Sequence, residues 1–313
     1  MDAYCATGFA GGMRSSAPAP ALAITSMGLV QLGAALSTHL FDAVTPAGSA
    51  WIRLAVAGVV LLAVSRPRPS AFSRRALLGT VLLGVTTGML TLAFIEAVAR
   101  LPLGTVVAIE FLGPLGVAAV RAHKPAALVW PALALAGVLA LTSPWAGTID
   151  LAGVGFALAA AAGWAVYLVL TQRIGSEVAG LGPLAISLTV GALVTAPLTV
   201  GPVLRGLTPS VALAGIGLAV LTPLLPYALE LMALRRMTLT AFGTLMALEP
   251  GIATVLGLVL LAQAPSVLQA VGVLLVVAAG IGAQRTARTA VPSAAGSIEG
   301  RSQTNPRQTY AAA

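Results

Sequence analysis

The chain has 313 residues, of which 58% are hydrophobic and only 8% are charged, and its mean hydropathy is +0.98. Because soluble domains carry roughly 25% charged residues, this composition excludes a soluble globular protein and predicts a polytopic membrane protein. Cys5 is the only cysteine, which excludes an intramolecular disulfide and a thiolate metal cluster.

Ten apolar stretches follow one another along the chain, each close to the ~20 residues that a helix needs to cross a bilayer. Nine spans are an alternative, since only Gln263-Ala264-Pro265 divides the last two stretches. The predicted spans lie at about 20–40, 46–64, 76–98, 103–120, 126–145, 151–171, 181–202, 209–232, 240–262 and 265–283.

The two ends of the chain differ from this apolar middle. Residues 1–19 are rich in Gly, Ala, Ser and Pro and are predicted to form a flexible cytoplasmic leader. A cleaved signal peptide is the alternative for the first span, but the apolar run is long for one and no cluster of positive charges precedes it. Residues 285–313 are polar and are predicted to form a disordered cytoplasmic tail.

The distribution of basic residues supports ten spans and orients them. With the N-terminus in the cytoplasm, 14 of the 17 Lys and Arg residues fall in inside segments. Two, Arg100 and Arg205, fall outside, and Arg53 falls within a span. This bias follows the positive-inside rule and places both termini in the cytoplasm. The net charge of +8 is then explained by topology and requires no nucleic-acid partner.

Two stretches, 94–114 and 227–250, share one layout. Each has an acidic residue at the end of a span, Glu96 or Glu230, then a basic residue, and finally a glutamate beside a proline within the next span. The stretches occupy equivalent places in two groups of five spans. Because five is odd, the second group must enter the membrane from the opposite side, which is the inverted-repeat plan of secondary transporters.

Several segments in both halves resemble the drug/metabolite transporter superfamily, and within it the EamA-type ten-helix permeases, in particular the bacterial threonine/homoserine exporters. One departure is that many relatives carry an acidic Leu-Gly-Glu where this chain reads Leu261-Ala262-Gln263, so no role of that carboxylate is transferred. The matching segments are Trp51-Ile52-Arg53-Leu54-Ala55, Val107 to Leu115, Gly163-Trp164-Ala165-Val166-Tyr167, Leu225 to Glu230 and Phe242 to Pro250.

The resemblance implies an all-α membrane protein with ten transmembrane helices in two inverted five-helix repeats, at 20–145 and 151–284. It implies export of small amino acids such as threonine or homoserine across the bacterial inner membrane, by proton antiport with alternating access. Transport of another metabolite, or uptake, by the same fold is the alternative. The implied partners are the amino acid, protons and the lipid bilayer; no cofactor is expected, and the oligomeric state is left open, with a monomer allowed.

Three charged residues within the spans are the first candidates for the substrate or coupling site. A charged side chain at bilayer depth costs from about 3 to above 10 kcal/mol, so such residues commonly face a protein interior or a water-filled path. Arg53 and Glu110 are each about seven residues into a span from the outside, which allows either substrate contacts or a structural ion pair between them. Glu249 has no obvious cation, which favours a role in proton coupling.

Aromatic residues and prolines supply the other candidates. Trp164 and Tyr167 share a helix face, and Tyr227 follows a proline; each is a candidate for the cavity, with aromatic packing or an interfacial belt as the alternative. Pro114 and Pro250 each remove an intrahelical hydrogen bond and are candidate hinges, with plain packing as the alternative.

Glu96 and Glu230 are predicted to form interfacial charge pairs with Arg100 and Arg235. An intramembrane enzyme is disfavoured because the chain contains no HExxH, Walker A or GxSxG motif, and no metal site is expected. A channel is disfavoured because single buried charges on Pro-containing repeats are unlike the repeated charge rings of pores.

Overall fold

A computed structural model describes residues 18–68, 72–122, 128–143, 150–175 and 180–290. The predicted leader lies outside these residues except for its last two positions, and so does the predicted tail beyond Ala290. The final helix continues to Ala290, so the first six residues of the predicted tail are helical.

The described residues are α-helical and contain no strand. A 3-10 turn, Thr38–Leu40, follows α1, and a π-helical turn, Val220–Leu224, joins α9 to α10. The helices are α1 (Ala19–Ser37), α2 (Phe41–Ser65), α3 (Arg74–Val98), α4 (Leu103–Glu110), α5 (Leu112–Ala122), α6 (Val129–Thr142), α7 (Leu151–Gly175), α8 (Gly182–Gly206), α9 (Pro209–Ala219), α10 (Leu225–Leu234), α11 (Leu239–Met246), α12 (Glu249–Leu261) and α13 (Val267–Ala290).

Eight stretches of the described chain are long and apolar enough to cross a membrane, and the shorter apolar helix α6 adds a ninth. The first stretch, Ala19–Ser65, has 47 residues. A straight helix of that length would measure about 70 Å, more than twice the ~30 Å hydrocarbon layer. The chain instead turns back, because Thr45 is non-helical with φ 65° and Arg53 Nη1 lies 3.3 Å from Ser37 Oγ. Helices α1 and α2 are therefore separate spans, which brings the number to ten.

The ambiguity between nine and ten spans is resolved at the end of α12. Ala262 adopts a left-handed backbone conformation with φ 53°, and its N–H bonds to the carbonyl of Gly257. The helix ends there, and α13 begins only at Val267. The prediction of ten transmembrane helices is confirmed.

Helix packing follows the inverted-repeat plan. Helix α3 packs on α7, and its counterpart in the second repeat, the α9–α10 span, packs on α1. Equivalent spans pair with one another in antiparallel directions, as for α4 with α12, where Gly104 near the start of one helix meets Thr254 near the middle of the other. The same holds for α2 with α8 and α6 with α13. The second repeat is thus inverted relative to the first.

Small residues set the closest helix contacts. Gly84 and Gly88 have GxxxG spacing on α3, and a Cβ added to Gly88 would lie 2.8 Å from the carbonyl oxygen of Gly191 on α8. Such small-residue faces let helix backbones approach closely in lipid. Close packing matters there because burying an apolar side chain between helices is hardly more favourable than exposing it to lipid. The Trp51 indole N–H, in one of the resemblance segments, donates to the carbonyl of Ala192 at 2.8 Å and fixes α2 on α8.

Candidate functional site

A cavity of about 540 Å³ lies between helices of both repeats. This volume is in the range of small-molecule binding sites. The structure brings together every residue that the sequence predicts for substrate binding or coupling, since all six line this cavity: Arg53, Glu110, Trp164, Tyr167, Tyr227 and Glu249.

The cavity reaches one end of the helix bundle. Its lining includes the exposed residues Val64, Gly180 and Arg235, at the end of α2, just before α8 and just after α10. At its other end the lining contains Arg53 and Phe94, which are buried. The cavity is therefore accessible from the side that the positive-inside rule assigns to the cytoplasm.

Arg53 and Glu110 do not form the structural ion pair that the sequence allows as one alternative. Its side chain is only 9% exposed, Nη1 donates to Ser37 Oγ at 3.3 Å, and Nε has no hydrogen-bond partner. Side chains on a helix lean toward its N-terminus, so the guanidinium of Arg53 reaches back to the turn between α1 and α2. This leaves a buried donor available on the cavity wall.

Glu249 is the first residue of α12 and is 7% exposed. Gln31 Nε2 on α1 donates to its Oε1 at 3.4 Å, whereas Oε2 has no hydrogen-bond partner. Among the residues that the structure describes, none forms an ion pair with this carboxylate. Gln31 itself was missed by sequence reasoning, although an amide in the middle of an apolar span is a recognisable signal.

Three carboxylates share the cavity. Glu110 and Glu249 are close enough to interact electrostatically, and so are Glu249 and Glu230. The predicted pairing of Glu230 with Arg235 is wrong, because both residues line the cavity and no ion pair joins them. Glu96 does pair with Arg100, one turn further along the chain, as predicted.

Glu96 forms an ion pair and Glu230 does not because the chain before each residue has a different local structure. Helix α3 runs without interruption to Val98, whereas a π-helical turn precedes α10. Within that turn Thr222 is non-helical, with φ −148° and ψ 113°, so α10 is kinked relative to α9 and presents a different face from the one that an uninterrupted helix would present. Glu230 therefore faces the cavity, whereas Glu96 faces the surface.

The aromatic candidates surround Glu230. Tyr167 on α7 and Tyr227 on α10 are both within electrostatic range of this carboxylate, and the hydroxyls of Tyr167 and Thr171 are hydrogen-bonded. Trp164 lies one turn before Tyr167 on α7 and also lines the cavity. The aromatic side chains thus form one wall of the cavity that the carboxylates share.

The two candidate hinge prolines lie outside the cavity lining. Pro114 is the third residue of α5 and Pro250 the second of α12, so each occupies the first turn of a new helix. Proline is tolerated there because the first N–H groups of a helix have no intrahelical acceptor. The residues between the paired helices, Phe111, Ala247 and Leu248, keep right-handed helical φ and ψ, so spans four and nine are locally distorted rather than divided. Glu110 ends α4 and Glu249 begins α12, so each carboxylate lies next to the distortion of its span.

Comparison with known proteins agrees with this architecture. Residues 151–282 match the EamA-like transporter family. The threonine/homoserine exporter RhtA of Escherichia coli (strain K12) is 34% identical over 270 residues, covering 85% of this chain and 90% of the relative. The chain belongs to the EamA-like transporter family. The RhtA protein of Salmonella typhimurium (strain SL1344) is 33% identical over the same length and coverage.

A solved crystal structure shares the fold of this EamA-like transporter. Its TM-score is 0.60 at 20% sequence identity, and the match covers 87% of this chain and 98% of the other. Family membership makes the protein a multi-pass membrane transporter and not an enzyme. The cavity with its six predicted residues is then the candidate transport site.

Proposed function

We propose that the protein exports small amino acids of the threonine and homoserine class across the bacterial inner membrane, in exchange for protons. The observation that carries the proposal is a cavity holding one buried unpaired donor, Arg53 Nε, and one buried unpaired acceptor, Glu249 Oε2. The names of the bacterial relatives supply the substrate class.

The two unpaired atoms complement a zwitterion. A buried polar group left without a partner costs about 1–3 kcal/mol, so both atoms favour a ligand that satisfies them. The guanidinium of Arg53 is suited to the substrate carboxylate, and Glu249, with Glu110 nearby, is suited to the α-ammonium group. One bound amino acid thus satisfies both charged walls of the site.

The rest of the cavity suits a short polar side chain. Thr87 and Thr91 line it, and their hydroxyls donate to the carbonyls of Leu83 and Thr87 at 2.7 Å each. Each hydroxyl oxygen keeps lone pairs that accept from a substrate hydroxyl. The apolar remainder, which includes Phe94 and Trp164, limits the size of what binds.

Transport by alternating access follows from the inverted repeats. The present conformation is open toward the predicted cytoplasmic side, where an exporter loads its substrate. Rocking of one repeat against the other, at the helix distortions beside Pro114 and Pro250, would expose the same site to the outside. Protons entering from outside would then neutralise a carboxylate and release the ammonium group.

The test is efflux of radiolabelled threonine from proteoliposomes with and without an imposed pH gradient. We expect wild-type transport to be accelerated by a gradient that is acidic on the receiving side, and Glu110→Gln and Glu249→Gln to reduce it at equal protein abundance. Leucine and an amine lacking a carboxylate serve as controls for substrate class. Gradient-independent transport would contradict proton antiport, and absence of transport for every amino acid would contradict the exporter assignment.

A further inference from the structure

Helix α1 is almost wholly apolar, but its few polar side chains hydrogen-bond to Arg53, to Glu249 and to the backbone beside Tyr227. Gln31 Nε2 donates to Glu249, and Ser37 Oγ accepts from Arg53 at 3.3 Å. Ser26 Oγ donates to the carbonyl of Pro226 at 2.9 Å, next to Tyr227 on α10. Helix α1 is therefore connected to both charged walls of the cavity and to the aromatic wall.

The contact between Gln31 and Glu249 leaves one side-chain oxygen of each residue without a hydrogen bond. Gln31 is 2% exposed, and its Oε1 has no hydrogen-bond partner; the same is true of Glu249 Oε2. The pair therefore makes one hydrogen bond and leaves two acceptor oxygens unsatisfied. A proton on Glu249 removes this deficit, because a carboxylic acid O–H donates to an amide oxygen once the amide has rotated.

An amide is the group that serves Glu249 in both protonation states. Its N–H₂ donates to the ionised carboxylate, and its carbonyl oxygen accepts from the protonated acid. An arginine or lysine at position 31 would serve only the ionised form, and an apolar residue would serve neither. Rotation of the amide changes the polar contact between α1 and α12 each time the proton moves.

We propose that Gln31 is the positioning residue of Glu249, and that its contact makes α1 sense whether Glu249 is charged. This inference rests on the proposed function only where it treats the charge of Glu249 as part of proton-coupled transport. The contact between Gln31 and Glu249 itself does not depend on the substrate. Sequence alone assigns no role to α1 beyond spanning the membrane.

The charged surroundings of Glu249 are few enough for a pH measurement to be interpreted. Helix α4 contributes Glu110 and α10 contributes Glu230 and Tyr227. Helix α1 carries no titratable group, and α13, which also packs on α12, carries none before Arg285. A change at position 31 therefore alters the donor to Glu249 without removing a charge.

Two measurements test the role of Gln31, each on Gln31→Leu and on the shorter amide Gln31→Asn. The first is infrared titration of purified full-length protein, in which the carboxylic C=O band of Glu249 is identified by its loss in Glu249→Gln. The hydrogen bond to the ionised carboxylate is charge-assisted and stronger than the one to the neutral acid, so its loss favours protonation, and we expect the band to persist to a pH about one unit higher than in the wild type. The second is the pH dependence of KM for threonine efflux, which we expect to shift in the same direction.

Ser26→Ala is the matched control, because it removes a buried hydrogen bond of α1 that touches no carboxylate. We expect it to lower protein abundance or maximal rate at every pH without shifting either profile. Gln31 variants that behave like Ser26→Ala, or whose band titrates within 0.2 pH unit (about the precision of one titration, well below the one-unit shift) of the wild type, would overturn the proposal. The infrared titration needs no substrate, so a wild-type protein that fails to transport threonine would overturn the proposed function and leave this inference standing.

Discussion

The stretch 94–114 in the first repeat and the stretch 227–250 in the second share a sequence layout and a place in the fold, but their charged residues have different surroundings. Glu96 forms a surface ion pair with Arg100, whereas Glu230 lines the cavity without one. Glu110 ends α4, before the distortion of its span, whereas Glu249 begins α12, after the distortion of the counterpart span. Inverted symmetry therefore shapes the cavity, and local departures from symmetry, such as the kink at Thr222 before α10, determine its chemistry.

The largest expected effect separates Glu249 from Glu96. Glu249→Gln removes the negative charge of the carboxylate whose Oε2 is unpaired. We expect threonine efflux to fall by about 100-fold, which is the upper end of what a charge-assisted hydrogen bond contributes. Glu96→Gln breaks only a surface ion pair and should change efflux less than about twofold. Radiolabelled efflux at matched abundance measures both, and equal losses in the two variants would contradict the distinction between the repeats.

Arg53→Lys tests whether the guanidinium group of Arg53 binds the substrate carboxylate. Lysine keeps the charge but lacks Nε and the planar fork, so we expect KM to rise about tenfold with a smaller change in maximal rate. Arg100→Lys is the control, because that residue pairs with Glu96 away from the cavity. A KM for Arg53→Lys that matches the wild type would remove Arg53 from the substrate site.

Glu230→Gln tests whether the carboxylate of Glu230, which lines the cavity without an ion pair, takes part in transport. Its side chain is half-buried and within electrostatic range of Glu249, so we expect efflux to fall by roughly threefold to tenfold, less than for Glu249→Gln, because solvent at the mouth screens its charge. Initial rates across a series of pH gradients measure the effect. Wild-type rates at every gradient would return Glu230 to a structural role.

The ten spans and the inverted repeat were predictable because lipid imposes one length and one polarity on each crossing segment. The cavity positions of Arg53, Glu110 and Glu249 were predictable for a related reason, since a charged group at bilayer depth must face protein or water. The aromatic candidates were chosen on other grounds, namely a shared helix face, a neighbouring proline and the family resemblance. Whether Arg53 pairs with Glu110 was not predictable. Two residues at equal depth along the membrane normal can still lie on helices that are far apart in the membrane plane. Gln31 was missed because a span's sequence does not reveal which neighbour each face meets.

Helix distortions lie beside the two prolines that the sequence singles out. The regular helix is interrupted just before Pro114 and just before Pro250, but the intervening residues keep right-handed helical φ and ψ. The loss of the hydrogen bond that each proline removes therefore distorts its span locally without ending it. The use of these distortions as hinges stays a prediction.

The smallest expected effect concerns how the two half-helices α4 and α11 begin. Helix α11 is capped by its own Thr238, whose Oγ1 accepts from the N–H of Ala241 at 3.2 Å. Helix α4 follows Pro102 and has no side-chain cap of its own; instead Gln263 Oε1, beyond α12 in the other repeat, accepts from the N–H of Leu103 at 2.9 Å. Gln263 thus joins the two repeats at the end of the site away from the mouth.

Gln263→Ala should lower the free energy of unfolding by about 1 kcal/mol, as loss of a helix cap commonly does. Gln263→Glu keeps the acceptor and places a negative charge at a helix N-terminus, where the helix dipole favours it, so we expect wild-type stability or slightly more. Thr238→Ala is the matched control, since it removes the corresponding cap within one repeat. Thermal unfolding of the purified variants measures all three.

Because the Gln263 contact crosses the repeats and the Thr238 contact does not, we expect Gln263→Ala alone to change the rate of substrate release to the outside as well. Equal effects of both alanine variants on stability and on release would show that Gln263 is only a cap and does not hold the outer side closed.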